Sequence, residues 1–397
     1  MIPVRITRSV KMPDPVRLSR YKKSPELGPK ILFFSGGSAL SNTSQVLKDY
    51  TYNSIHIVTP FDSGGSSAKL RKAFEMPSIG DLRCRLMSLA DENITGHPEV
   101  YQLFTYRFPH DKTNDELLQQ LNSLILGKDP QVSDISNPMR RLIRNQLGYF
   151  RAAMPDDFDL RGASIGNLIL AGGYLNNHQH LDPIIFLFSK LVSVLGTVRS
   201  VVNCNLHLGA ELEDGNVIIG QHNLTGKEVK PLESPIKRLF LSENLDQYIP
   251  ATTEIRKKNR KIIKKSELIC YPPGSFYSSL LANLLPNGVN TAIAQSDCPK
   301  VYVPNLGQDP EQIDMTLDDL VLTLLKYLKT NNGEDHSVDK LLNFILLDEN
   351  QSRYPSKLST KLMKELGIQV ISTRLVSKQS EPYYDPKLLV AALLSLT

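Results

Sequence analysis

Residues 30–71 read KILFFSGGSALSNTSQVLKDYTYNSIHIVTPFDSGGSSAKLR. The run from Lys30 to Gly36 is apolar and ends in glycine, which predicts a short buried strand by length and composition. Ser41 to Tyr50 predicts a helix with Val46 and Leu47 turned inward, and Ser54 to Thr59 predicts a second strand. Strand, glycine turn, helix and strand within about thirty residues make a βαβ unit.

Two loops in this stretch carry chemistry. The first is Ser35-Gly36-Gly37-Ser38-Ala39-Leu40-Ser41. Glycines at a strand end permit a tight turn and let backbone N–H groups approach a phosphate, and the following helix adds its positive end. The loop is neither GxGxxG nor a Walker motif. The second runs from Asp62 through Ser63, Gly64, Gly65, Ser66, Ser67, Ala68, Lys69 and Leu70 to Arg71, directly after the second strand. It joins a carboxylate, two glycines, hydroxyls and two cations at the sheet edge where α/β ligands bind. That is an anion nest with a Mg²⁺ ligand, Asp62, beside it. A flexible surface loop is the plain alternative.

Working outward, Leu82, Leu86 and Leu89 give the segment after Gly80-Asp81-Leu82-Arg83 a helical spacing. Asp81 suits a helix-start carboxylate, or a metal or base role. Residues 100–160 are polar and helix-leaning, broken by Pro109, Pro130, Pro138 and Pro155, and predict a helical insertion. Its cluster Arg140, Arg141 and Arg144 reads as a solvated face. Residues 164–176 and 183–196 are apolar helices, with Asn167 a capping or packing amide near the start of the first.

The pattern then switches to period two around Asp214-Gly215, a hairpin signal. Residues 236–242 form another strand. The basic run Arg256 to Lys265 reads as a solvated helix in preference to a nucleic-acid face. A strand ending at Pro272 leads into Pro273-Gly274-Ser275-Phe276-Tyr277-Ser278-Ser279, another strand-end anion site. Strands at 300–304, 341–347 and 369–376 alternate with helices at 315–329 and 386–396. Strands alternating with helices imply an α/β fold with a doubly wound, mostly parallel sheet, a β-hairpin excursion and a helical insertion. Residues 1–29 read as an N-terminal arm, exposed or adding an edge strand. Residues 30–397 read as a single α/β domain.

Composition agrees. Of the 397 residues 41% are hydrophobic, enough for a full core, and the net charge of +5 is too small for a typical nucleic-acid binder. Cys84, Cys204, Cys270 and Cys298 are widely spaced, as reduced thiols of a cytoplasmic protein are. No apolar run approaches the about 18 residues of a membrane span, and the basic N-terminus lacks the apolar core of a secretory signal. The eight histidines show no metal spacing.

Taken in order, FFSGGSALS, IVTPFDSGGSSAKLR, PSIGDLRCRLMSLAD, SIGNLILAG, AELEDGNVIIGQHNL, CYPPGSFYSSLLANLLPNGV and KVYVPNLGQDP resemble the CofD/YvcK family over roughly residues 30–350. That family holds 2-phospho-L-lactate transferases of deazaflavin-coenzyme synthesis and YvcK-type gluconeogenesis factors that bind nucleotide sugars. The DSGGSSAKLR and GDLR blocks resemble YvcK more, the FSGG opening CofD, and the nearest subgroup is the CofD-like proteins of GAK-system gene clusters. The resemblance implies a Rossmann-like sheet, a homodimer, and a nucleoside diphosphate, nucleotide sugar or activated phospholactate-like donor at the strand ends.

It also implies roles for single residues. Asp62 would hold Mg²⁺. Gly36, Gly37, Ser38, Gly64, Gly65, Ser66 and Ser67 would line phosphate, with Asp81, Arg83, Asn167, Gly274, Ser275 and Tyr277 completing the nucleotide site. Lys69 and Arg71 would offset charge. Departures fall in the same place: Ser63 stands for the family's second Asp, Ala39 for a Gly, Ala163 for a His, and Pro272-Pro273 opens the Gly-Ser turn. Two functions follow: transfer of a phosphoester group from a nucleotide-activated donor to a hydroxyl, or non-catalytic sensing of a nucleotide sugar.

Overall fold

β1 (Ile31–Ser35) and β2 (Ile55–Val58) are buried along their whole lengths, as strands covered on both faces must be. They pair in parallel, Leu32 opposite Ile55. The computed structural model describes residues 9–92, 97–226, 229–307, 309–329 and 336–397. The remaining strands are β3 (Thr197–Ser200), β4 (His207–Leu212), β5 (Val217–Ile219), β6 (Ile236–Ser242), β7 (Pro250–Ala251), β8 (Leu268–Tyr271), β9 (Lys300–Tyr302), β10 (Phe344–Asp348) and β11 (Gln369–Thr373).

Seven of them form one sheet in the order β11-β10-β9-β8-β1-β2-β3, with every pairing parallel. The chain winds from β1 outward to β3, then returns to β8 on the other side of β1. The strand order therefore reverses between β1 and β8, and their carboxyl ends open the crevice where ligands of such sheets bind. This is the doubly wound, Rossmann-like α/β fold that the alternation of strands and helices predicts.

The predicted hairpin is present, with Gly215 at φ +87° in its turn. It belongs to a larger unit, an antiparallel sheet of order β5-β4-β6-β7. β3 and β7 escape sequence reading. β3 is the four-residue TVRS, half-covered at the sheet edge, and β7 spans two residues. Neither carries a run of apolar residues.

Where it is described, the segment 1–29 forms no edge strand, and its helix buries none of its residues. Pro15–Lys23 is a helix with Asp14 as its cap, accepting from Arg17 N at 3.0 Å. Asp14 N donates to Ser395 Oγ at 2.8 Å, and the Arg17 guanidinium donates to the carbonyls of Ser395 and Thr397. The helix start, Asp followed by Pro, is legible once the basic composition is set aside.

In 100–160 the helices Pro98–Thr105, Asn114–Leu126 and Met139–Ala153 pack with Ile165–Asn176 around Leu117, Leu121, Ile143, Leu147, Phe150 and Ile169, all buried. Among the described residues no helix is long and apolar enough to cross a membrane. All four cysteines are free thiols.

Two glycines test this packing. A Cβ on Gly172 would overlap the backbone carbonyl of Gln146, whereas one on Gly148, on the helix Met139–Ala153, meets nothing within 4 Å. Gly172→Ala should lower unfolding free energy by about 1–3 kcal/mol, and Gly148→Ala should raise it by about 0.5–1 kcal/mol. Urea titration of both variants measures the pair. Equal effects would contradict the close approach of the two helices.

Candidate functional site

The loop after β1 and the loop after β8 face each other across the crevice. Gly36, Gly37 and Ser38 line one wall and Gly274 and Ser275 the other, with Asp81, Gln221 and Ser279 between them. The approach is close. A Cβ on Gly36 would overlap Ser279 Oγ, and one on Gly37 would overlap Asp81 Oδ1. Gly274 has φ +145°, and a Cβ there would touch the Ala39 methyl at 3.4 Å. Glycine is thus favoured at the two tightest points of the wall for space, and at the third for backbone conformation.

The second loop lies alongside. Asp62 Oδ1 accepts from Gly64 N at 3.1 Å, and Gly65, at φ +49°, opens the helix Gly65–Phe74. A Cβ on Gly80 would overlap Ser67 Oγ and stand 3.2 Å from Asp62 Oδ2. Asp81 follows in the first turn of the helix Gly80–Ser88. Gly80 therefore sits against Ser67 and Asp62, and its bare α-carbon lets the second loop and this helix come together. Ser66 Oγ accepts from Asn167 Nδ2 at 2.9 Å, with Asn167 buried. Arg83 packs its stem over Gly166, and burial together with Arg107 lowers its pKa.

Ser63 does not stand idle. Its Oγ lies 2.7 Å from His222 Nδ1 and accepts from His222 N at 3.3 Å. Behind this pair is a broader cavity of about 1040 Å³, lined among others by Arg71, Lys72, Asn205, His207 and Asp246. Burial, then the Arg71 charge, pulls His207 down to about 4, so its imidazole is neutral at neutral pH.

Three residues expected at the nucleotide site are engaged by other parts of the chain. Lys69 Nζ binds Asp159 Oδ2 at 2.7 Å and the carbonyl of Arg161 at 3.0 Å, tying the helix to the 159–161 segment. The Arg71 guanidinium is buried and donates to the carbonyls of Phe61, Asp62 and Leu206 and to Asn205 Oδ1. It braces the loop that presents Asp62. The Tyr277 hydroxyl is buried and reaches the carbonyl of Ile236 at 3.3 Å. All three have the right residue type and the right loop, but the helical turn directs Arg71 and Tyr277 into the fold and Lys69 to a half-exposed ion pair with Asp159.

The segment after Gly274 also differs from a vacant anion site. Phe276 N donates to Asp309 Oδ2 at 3.1 Å, and Tyr277 N and Ser278 N donate to Glu311 Oε2 at 2.9 and 2.8 Å. Two carboxylates of the chain itself occupy these donors. Sequence reading missed Glu311, Asp309, His222 and Arg85, because each acts on a loop far away in the chain. Among the described residues no group of three or more His, Cys, Asp or Glu is placed to hold a metal. Asp62 and Asp81 are the carboxylates on hand.

The sequence profile of 2-phospho-L-lactate transferase CofD matches residues 31–376. The gluconeogenesis factor of Bacillus subtilis (strain 168) is 28% identical over 374 residues, covering 92% of this chain and 97% of that protein. The gluconeogenesis factor of Halalkalibacterium halodurans is 27% identical, covering 88% and 91%. A crystal structure of a UPF0052-family protein from Bacillus halodurans aligns with TM-score 0.68 and 25% identity, over 92% of this chain and 99% of that one.

Glu311 supplies a test of the interior. Burial, reinforced by the Asp309 carboxylate, pushes its pKa up to about 7 against the pull of its hydrogen bonds from Ser278 and Tyr277. A carboxyl whose folded pKa is raised holds its proton more tightly in the folded than in the unfolded chain. Its stability contribution is present below the unfolded carboxyl pKa and is lost as pH rises through about 7. Glu311→Gln should flatten that part of the stability profile. Chemical denaturation at intervals from pH 5 to about 8 checks it, and an unchanged slope would refute the assignment.

Proposed function

Because this chain belongs to the CofD family, we propose that it binds a nucleoside-diphosphate-activated donor in the crevice between β1 and β8 and transfers a phosphoester group of the 2-phospho-L-lactate type to a hydroxyl acceptor. The observation that carries this reading is the convergence of Gly36, Gly37, Asp81 and Gly274 at the point where the strand order reverses. A diphosphate laid there meets the backbone N–H groups of the glycine loop on the β1 wall, with Gly274 and Ser275 shaping the other.

The carboxylates suit a phosphate-borne Mg²⁺. The Asp62 carboxylate stands over Gly80 and the Asp81 carboxylate over Gly37, and Mg²⁺ is ordinarily held by one or two carboxylates together with substrate phosphates. When bound, the ion would offset the charge on the phosphate oxygens. The rest falls to the chain. The glycine loop holds the phosphates, Arg71 steadies the backbone at Asp62, and Asn167 fixes the Ser66 hydroxyl. The acceptor oxygen attacks phosphorus in line, and the bond to the nucleoside monophosphate breaks as the new P–O bond forms. Positioning and electrostatics supply most of the acceleration in such a step.

A second reading has its own support. Lys69 and Arg71 are engaged within the fold, and Ser63 is held by His222. A site with its nearby cations so committed suits a protein that binds a nucleotide sugar and signals through a partner, in keeping with the name gluconeogenesis factor of the bacterial relatives. A homodimer in the cytoplasm completes the proposal in either form.

Thermal unfolding with nucleoside diphosphates and nucleotide sugars tests the common part. Ligand at a hundred times its Kd should add about 2.7 kcal/mol of stability, and Gly37→Ala should abolish the gain while the protein stays folded. Release of nucleoside monophosphate from an activated donor, dependent on Mg²⁺ and lost in Asp62→Asn, separates transfer from sensing. Binding without any release would leave only the sensor.

A further inference from the structure

Arg85 lies on the helix Gly80–Ser88 and is completely buried. Its guanidinium reaches the underside of the glycine loop. One terminal nitrogen donates to the carbonyls of Gly36 at 3.1 Å and Gly37 at 2.9 Å, and the other donates to Ser44 Oγ at 2.7 Å. Every one of these partners is a neutral oxygen. Asp81 acts on Arg85 through space, and burial lowers the guanidinium pKa to about 10, so the group is charged at neutral pH. The same charge helps depress the pKa of buried His56.

A buried cation hydrogen-bonded to neutral oxygens is costly, because it gives up hydration without an ion pair in return. Neutral donors would serve to hold two carbonyls and a hydroxyl. The charge acquires a use if an anion comes to the opposite face of the loop. The backbone is arranged for that. In a trans peptide the N–H points opposite to the C=O. With the carbonyls of Gly36 and Gly37 drawn down to Arg85, the N–H groups of Gly37 and Ser38 point away from it. Gly37 and Ser38 line the crevice, and among the described residues neither N–H donates to a backbone acceptor.

We infer that Arg85 is a positioning residue for a phosphate-bearing ligand, which turns the Gly37 and Ser38 N–H groups outward and supplies from beneath the loop the positive charge that favours a diphosphate over an uncharged nucleoside. This rests on the crevice being the ligand site and adds to it the source of its preference for anions. The ligand never touches Arg85. Its effect passes through two peptide groups and through space.

The experiment compares wild type, Arg85→Lys and Arg85→Gln by isothermal titration with inorganic pyrophosphate, a nucleoside diphosphate and the corresponding nucleoside. Circular dichroism monitors the fold. Lysine keeps the charge, and glutamine keeps donors without it. Pyrophosphate binding should weaken by about tenfold or more in R85Q and much less in R85K, with nucleoside binding alike in all three. Equal pyrophosphate affinity in R85K and R85Q, or a parallel loss of nucleoside and pyrophosphate binding, would make Arg85 a plain strut and overturn the inference. If R85Q does not fold, R85K decides. Retained pyrophosphate binding supports the charge, and its loss in a folded R85K overturns it. Wild type that binds pyrophosphate and no nucleotide would remove the nucleotide reading and leave the role of Arg85 standing, whereas a wild type that binds no anion ends both.

Discussion

The pairing of β1 with β2 on one side and β8 on the other governs the rest of the molecule. A strand joined in parallel to both neighbours must receive its connections from helices above and below the sheet. The chain that leaves β1 toward β2 and the chain that comes back to β8 therefore part company at the carboxyl end of β1. A gap opens there because no connection crosses it. The glycine loop, Asp81 and the turn at Gly274 are placed by that parting, and none could be moved to another strand end without losing the gap.

Filling the gap with polypeptide would be easy, and the sequence keeps it open by subtraction. Gly36, Gly37 and Gly80 each bring backbone against a polar side chain, of Ser279, Asp81 and Ser67 respectively. Gly166 does the same for the stem of Arg83. A methyl group at the first three would overlap an oxygen that has nowhere apolar to go. These glycines lose more conformational entropy on folding than alanine would. The fold bears that cost at a cluster of neighbouring positions beside the crevice that the carboxyl ends of β1 and β8 open.

Much of the framework was legible because it depends on local pattern. Short apolar runs mark β1, β2, β6, β8 and β10, and the alternation with helices implies the parallel sheet. The two Gly/Ser loops follow strands, so their arrival at one edge could also be read. What stayed hidden was pairing across the chain. Arg85 and Gly37 are 48 residues apart, Ser63 and His222 are 159 apart, and Glu311 and Ser278 are 33 apart. Periodicity within a window cannot register such contacts. Lys69 and Arg71 show the converse. Their types and loop suggest phosphate, yet a residue four or six positions past the start of a helix points where the turn sends it, here toward Asp159 and toward the carbonyls of 61, 62 and 206.

The electrostatics of the two walls are opposite in origin, and that asymmetry says where a ligand's charge belongs. On the β8 side the N–H groups of 276–278 are answered by Asp309 and Glu311, so that wall is already neutralised from within. A second anion there would have to displace a carboxylate or share its donors at close range, which like charges resist. On the β1 side the loop carbonyls are held by a buried guanidinium, and the peptide groups present their positive ends outward. Under the proposed reading, the phosphates of a nucleotide would therefore lie against Gly37 and Ser38, leaving Gly274 and Ser275 to shape the far wall. Of the three glycine-rich turns that look alike in the sequence, one is thus charged for an anion, one carries Asp62 beside it, and one is closed by the chain's own acids.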